Sequence, residues 1–568
     1  MSNINLKLKA PWCVLYNDDA FYPKDGRLMG RHAAGSSYLR ALAQKNFNEV
    51  GVLIRNTSEK ANFVKLFKSF IGNNETIDLK VIPWTNHELT EDFGGIFLGD
   101  PQIGNYSILR SKFGHDKYSI VGITHTTFSS GTIDLLNQLF FKPVQEWDAL
   151  ICTSQCVKDT VDKVIENNKE FLKERYNINQ FTFPQLPIIP LGVHPEDYNL
   201  PDKEKNTFRQ EIGAQDEDVV LIFVGRLSFH AKAHYYPMYK SLEEIHKELG
   251  KQRNIHLVQV GWFANEFIKN SFEKDAKEIC PNITCHFMNG LDQDLKNRAL
   301  LGSDIFISLT DNFQETFGLT PLEGMAAGLP VIATDWNGYR DTVRHSKDGF
   351  LVPTTTLNKG SGEDFYYYYL SEIINYDQYL SFSSQTVSID MDVCINYLRE
   401  LITNKDLRIK LGESGKKRAK NKFSWEHIID EYSKLEEELS LIRKSSKNVD
   451  KFNFLKAYEP YNLFSSYPTR KIKKNTNFCL TENKNIDKNS YIFQSDSINI
   501  AKDNNFLNVS KLELKIDFND ANLVVDVMKD NIKSFQEIKD ETSISVSRLN
   551  RILSTMLKFH VVKIVEKK

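Results

Sequence analysis

Two glutamates, three residues that can carry positive charge and a short run of backbone N–H groups are the parts of this 568-residue sequence that could do chemistry together. Glu315 and Glu323 flank Phe317-Gly318-Leu319-Thr320-Pro321. Proline belongs in the first turn of a helix, so the spacing predicts Glu315 in the loop before a helix and Glu323 in its first turns, both facing one crevice. The N–H groups of Gly318, Leu319 and Thr320 then lie at the helix N-terminus, where the dipole and the unsatisfied donors favour a phosphate, and Gly318 lets that ligand come close. Arg226 and Lys232 follow the apolar run Val219–Gly225. A forked guanidinium and a point-charge ammonium together suit an anionic ligand. His125 ends another apolar run, 119–124, where ligands of open α/β sheets collect. Gly35, with Ser36 and Ser37 ahead of the amphipathic start Tyr38–Leu42, would offer N–H groups beneath a phosphate. Each feature also has a plain structural reading: an ordinary strand–turn–helix unit, two solvated cations, a satisfied polar histidine, small residues packing a helix on a strand.

The elements that must position these groups read as α/β throughout. Short apolar runs alternate with longer amphipathic ones at 13–16, 50–54, 81–84, 95–98, 119–124, 149–153 and 187–191, the pattern of βα units on a parallel sheet. A second series follows at 219–225, 255–260, 283–287, 304–308, 330–333 and 349–352. The fold class expected is two Rossmann-like, doubly wound parallel-sheet domains. Their bounds are 1–195 and 196–422, the second carrying an insertion at 355–390. Ser424 is an N-cap candidate for an amphipathic helix over 423–445. Residues 446–530 read as a connector of uncertain order, rich in Asn, Asp, Lys and Ser. Residues 531–568 read as helix, turn, helix, strand, similar to a small winged-helix module.

The Glu-x7-Glu pattern with Phe317-Gly318-Leu319 inside it, the run Gly324–Ala333, Gly338 and the segment Asp348-Gly349-Phe350-Leu351-Val352 closely resemble the nucleotide-sugar half of retaining GT-B glycosyltransferases, family 4 in particular. The resemblance implies transfer of a sugar from a nucleoside-diphosphate donor with retention of configuration. It assigns the diphosphate to Arg226 and Lys232, with Gly225 in the turn beside them and Gly35 in a loop near the donor phosphates. Glu315 would hydrogen-bond the donor sugar, Glu323 the ribose hydroxyls, and His125 would face the sugar from the first domain. Phe317, Gly318, Leu319 and Thr320 complete the donor-binding set. The pattern departs from the family at Lys232-Ala233-His234, where Lys-Gly is usual. No Asp-x-Asp motif stands in a suitable loop, so neither a cofactor nor an obligatory metal is expected. The segment 423–445 resembles the helix by which GT-B chains cross back onto the first domain. A nucleotide-sugar epimerase or phosphorylase on the same fold, or a non-catalytic protein acting through its C-terminal module, remain alternatives because fold alone does not fix function.

A net charge of −2 gives no global push toward nucleic acid or an anionic membrane. Seven scattered cysteines without a CxxC pair indicate neither a disulfide framework nor a zinc site. The N-terminal stretch lacks a secretory apolar region and no run approaches membrane-spanning length, so the expected location is cytoplasmic, with peripheral contact at the inner membrane face left open. Expected partners are the nucleotide-sugar donor and a glycan or lipid-linked acceptor. The C-terminal module is expected to dock a protein or self-associate rather than bind DNA, since Arg548 and Arg551 are too few cations for phosphate-dominated affinity.

Overall fold

The computed structural model describes residues 8–21, 30–71, 77–250, 254–447, 449–482, 486, 491–494, 516–529 and 531–566. The chain separates into one unit of residues 1–53, 62–82 and 88–452, and a second of 54–61, 83–87 and 453–568.

The first unit holds two six-stranded parallel sheets. One contains β1 (Cys13–Leu15), β2 (Glu49–Ile54), β3 (Asp78–Pro83), β4 (Gly95–Phe97), β5 (Ser119–Ile123) and β6 (Ala149–Ile151), in the order β3-β2-β1-β4-β5-β6. The other contains β7 (Val219–Val224), β8 (Ile255–Gly261), β9 (Thr284–Asn289), β10 (Ile305–Ser308), β11 (Val331–Thr334) and β12 (Gly349–Val352), in the order β12-β11-β10-β7-β8-β9. Strands such as β7, VVLIFV, are buried at every residue, as expected of parallel strands covered by helices on both faces. Both are doubly wound parallel sheets, the fold class expected from the sequence. In the second sheet the chain winds outward from β7 to β9, then returns to the other side of β7 as β10, so β7 and β10 flank the switch point where doubly wound sheets leave a crevice.

Three expectations are corrected. The run 187–191 does not join the sheet as a strand; only isolated parallel bridges form, Ala149 with Gln185 and Cys152 with Ile188. Pro184, Pro187 and Pro190 remove the donors a ladder needs. The helix expected to start at Tyr38 spans Gly30–Gln44, so Gly35 lies inside it and its N–H is not at a helix N-terminus. What Gly35 provides is close packing: a Cβ there would meet the Ala20 carbonyl oxygen and the Phe21 ring at 3.0 Å. The loop expected over 18–32 is helical at both described ends, Asp18–Phe21 and from Gly30 on, and its middle, 22–29, lies outside the described residues.

Ser424 caps the helix Trp425–Ser445, accepting from the His427 N–H. This helix packs back on the first sheet's domain. Trp425 Nε1 donates to Ser37 Oγ (2.5 Å), Lys45 pairs with Asp430 (2.8 Å), and Arg443 donates to the Gly94 carbonyl (2.9 Å). The insertion leaves and re-enters the second domain at one point, because β13 (Thr354–Thr355) pairs antiparallel with β14 (Ser388–Ile389). Between them lie the helices Glu363–Leu370 and Tyr376–Ser384.

The second unit contains an antiparallel sheet, ordered β16-β15-β17, of β15 (Asn477–Leu480), β16 (Lys533–Ser534) and β17 (Val562–Val565). Its helices Phe518–Met528, Phe535–Thr542 and Val546–Lys558 bury Val524, Met528, Ile538, Leu549, Ile552 and Met556 around Phe478. The folded module thus begins well before residue 531. The central strand comes from the expected connector, much of whose remainder, 483–485, 487–490 and 495–515, lies outside the described residues. Arg548, on the helix Val546–Lys558, is ion-paired with Asp520. No helix among the described residues is long and apolar enough to cross a membrane.

Candidate functional site

The loops that leave β7 and β10 meet at the switch point. Gly225 follows β7 with φ +152°, and a Cβ there would lie 3.1 Å from Lys232 Cε. Arg226 comes next and donates to the Ala231 carbonyl (3.0 Å). Burial pushes its pKa down, against the nearby Asp377 carboxylate. The turn closes by Lys232 and Ala233 N–H groups bonding the Ser228 carbonyl, which delivers Lys232 to Glu315. The two side chains form an ion pair, each 16% exposed. Burial opposes the charge on Lys232, but Glu315 beside it outweighs that cost and holds the ammonium above its usual pKa. Burial likewise opposes the Glu315 charge, and Lys232 with the N–H groups of Phe317 and Thr316 holds the carboxyl below its usual value.

Gly318 is the N-cap of the helix Leu319–Ala326, with φ +94°. A Cβ at Gly318 would sit 2.3 Å from the Tyr339 ring, which is fully buried and bonded to Ser308 Oγ (3.0 Å), so only glycine lets the loop turn here. Leu319 and Thr320 therefore begin the helix, just after Glu315 in the chain, with their N–H groups in its first turn. Glu323, one turn on, pairs with Lys296 (2.8 Å), each 12% exposed, and takes a hydrogen bond from the buried Tyr198 hydroxyl. Phe317 differs from expectation: its side chain is 2% exposed and packs near Phe423, with ring centroids 6.2 Å apart, so the ring belongs to the interior and only its backbone reaches Glu315.

His125 arrives from the end of β5. Its Nε2 donates to the Gly99 carbonyl (2.8 Å), which requires the proton on that nitrogen. Its carbonyl accepts from Thr316 Oγ1 (2.5 Å), and Ser154 Oγ donates to the Thr316 carbonyl (2.6 Å). Thr316, next to Glu315, therefore ties the second domain's loop to the first domain. Sequence reasoning missed Thr316, Lys296 and Tyr198. A hydroxyl inside the Glu-x7-Glu pattern was the available signal for Thr316; nothing in the sequence pairs Lys296 with Glu323.

Asp311 was also missed. It is buried, accepts from the His234 N–H (3.3 Å), and burial pushes its pKa up to about 7. A carboxyl whose folded pKa exceeds its unfolded value penalises the folded state above the unfolded pKa, so its cost grows between about pH 4 and pH 7 and then levels. Asp311→Asn is expected to raise the thermal midpoint by several degrees at pH 8 and to lose that gain near pH 4, checked by thermal unfolding at both pH values.

Among the described residues no group of three or more His, Cys, Asp or Glu side chains is gathered that could hold a metal ion.

Residues 204–360 match the family model for glycosyl transferases group 1. An uncharacterized glycosyltransferase of Methanocaldococcus jannaschii is 24% identical over 192 residues, 34% of this chain and 46% of that protein. The sulfoquinovosyl transferase SQD2 of Arabidopsis thaliana is 25% identical over 183 residues, 32% of this chain and 31% of that protein. The matches thus span about half or less of these relatives. A crystal structure of HepE from Anabaena in complex with UDP-glucose aligns with TM-score 0.46 at 15% identity, covering 74% of this chain and 98% of that one. The matched segment contains β7 to β12 and both members of the Lys232–Glu315 pair.

Proposed function

We propose that the protein transfers a sugar from a nucleoside-diphosphate sugar to an acceptor with retention of configuration and without an obligatory metal. The observation that carries this reading is the convergence of Arg226, Lys232, Glu315 and the Gly318–Thr320 helix start at the β7/β10 switch point. Two cations and a helix N-terminus suit a departing diphosphate, and preorganised charge of this kind is the main tool of such sites. In this reading Glu315 faces an oxocarbenium-like centre and Glu323 takes ribose hydroxyls. His125 comes to the same loop from the other domain.

Incubation with a panel of nucleotide sugars tests the reading: release of nucleoside diphosphate from at least one donor is expected, and release from none overturns it. Because Arg226 and Lys232 supply the charge that a divalent ion would otherwise bring, activity is expected to survive EDTA. Loss on chelation, restored by manganese, would refute metal independence. A glycan or lipid-linked acceptor, and a docking or self-association role for the second unit, belong to the same proposal. So does a cytoplasmic location.

A further inference from the structure

The insertion between β13 and β14 does more than decorate the second domain. Its Tyr379 ring stacks on Phe128 of the first domain, with centroids 4.5 Å apart and planes 10° apart. Phe128 also meets Tyr376 of the insertion edge-on (6.3 Å, 61°) and Phe313 of the second domain (5.4 Å, 27°), which in turn meets Trp336 edge-on (5.2 Å). Behind Tyr379 stands Tyr369, stacked at 4.7 Å and 3°, whose hydroxyl bonds Ser130 Oγ (3.0 Å). One first-domain ring is therefore sandwiched between rings of the second domain, and half of the sandwich is built from the insertion.

Two bonding routes lead from this socket to the site. Phe128 is three residues from His125, whose carbonyl is held by Thr316. On the other side, the Tyr376 hydroxyl donates to Gln314 Oε1 (3.1 Å), and Gln314 Nε2 donates to the Ala231 carbonyl (3.0 Å) that also receives Arg226.

We infer that the 355–390 insertion is a socket for Phe128 that locks the first domain's 125–130 loop onto the second, so that Tyr379 and Tyr369 act as positioning residues for His125 opposite Glu315. This rests on the glycosyl-transfer reading for its kinetic consequence, but the socket itself does not. Aromatic pairs of this geometry stabilise a contact beyond what their buried area contributes. Loss of the sandwich should free the loop without touching the groups that hold the nucleotide.

The test uses the full-length chain with Phe128→Ala, Tyr379→Ala and Tyr379→Phe. Hydrogen exchange of segment 126–132 is expected to quicken in both alanine variants and to stay at the parent rate in Tyr379→Phe, which keeps the ring. With a nucleotide sugar that the parent turns over, kcat/KM should fall about tenfold in either alanine variant, and no further in the double variant, because both remove one contact. The dissociation constant of the free nucleoside diphosphate should stay within about twofold, since Arg226, Lys232 and the helix start all belong to the second domain. Unchanged exchange, additive losses, or nucleotide affinity falling with kcat/KM would each overturn the socket. Should Tyr379→Ala fail to fold, Phe128→Ala probes the contact from the other domain. If the parent turns over no nucleotide sugar, the transferase reading fails while the exchange data still decide whether the socket exists.

Discussion

Lys232→Met is expected to lower turnover by more than a hundredfold, to weaken nucleoside diphosphate binding by about ten- to a hundredfold, and to destabilise the fold. The first two effects follow from removing a cation from the diphosphate. The turnover loss is larger because more charge develops on the leaving group than it carries when bound. The third follows from the ion pair: Met fills the space of the lysine stem and leaves the Glu315 carboxylate in a buried place without its counter-charge. Breaking one side of a buried pair costs about 3 to 5 kcal/mol. The pH dependence identifies the cause. In the parent, Glu315 titrates below its unfolded value, so its contribution is present above the unfolded pKa and lost as pH falls through the folded one. In the variant only the Phe317 and Thr316 N–H groups still oppose burial, the largest of these effects, so the Glu315 pKa rises and stability should instead fall as pH rises from about 4 toward neutrality. Calorimetric titration with nucleoside diphosphate and thermal unfolding at pH 5 and pH 8 check these outcomes. A variant as stable at pH 8 as the parent would show that Lys232 does not neutralise Glu315.

Much of this arrangement was legible because parallel strands write themselves as unbroken apolar runs. Runs such as Val219–Gly225 and Asp304–Ser308 told where the strands end, and residues at the carboxyl ends of strands are where the ligand goes. Arg226, Lys232 and His125 stand out for that reason, and Glu315 for its spacing from Glu323 across the helix start. Contacts between distant segments were not legible. Ser130 and Tyr369 are 239 positions apart, and no periodicity links a phenylalanine after β5 to tyrosines in an insertion. Gly35 failed for a local reason: Gly-Ser-Ser suggested a helix start, but helix already formed from Gly30 and absorbed it. The second unit was underestimated because its central strand, with buried Phe478, is a short apolar stretch in polar surroundings, too weak a signal until β17 is seen beside it.

Glu315→Gln separates charge from shape. Gln keeps the size of the side chain and an oxygen that can accept the Thr316 N–H, a contact of 3.3 Å in the parent. It removes the negative charge at the place where positive charge would appear on the anomeric carbon. Turnover is expected to fall by about a hundredfold or more, on the scale of losing one electrostatic stabiliser. Nucleoside diphosphate affinity should change little, since Arg226, the helix start and Glu323 remain. It could even rise modestly, because Lys232, no longer held by a carboxylate, is free to meet the phosphates. The same release carries a stability cost. Lys232 is held above its usual pKa by Glu315 against burial, and that contribution is present below the unfolded lysine pKa and lost as pH rises through the folded one. Without Glu315, burial dominates and the ammonium is destabilised at neutral pH, so the variant should recover stability as pH rises toward 9. Adding Lys232→Met removes the second charge as well. The double variant is then expected to be more stable than either single variant at pH 7, while remaining inactive. Turnover, calorimetric nucleotide affinity and thermal midpoints for the three variants measure all of this. If Glu315→Gln turns over like the parent, Glu315 serves only to neutralise Lys232, and the group that faces the reacting sugar must be sought elsewhere.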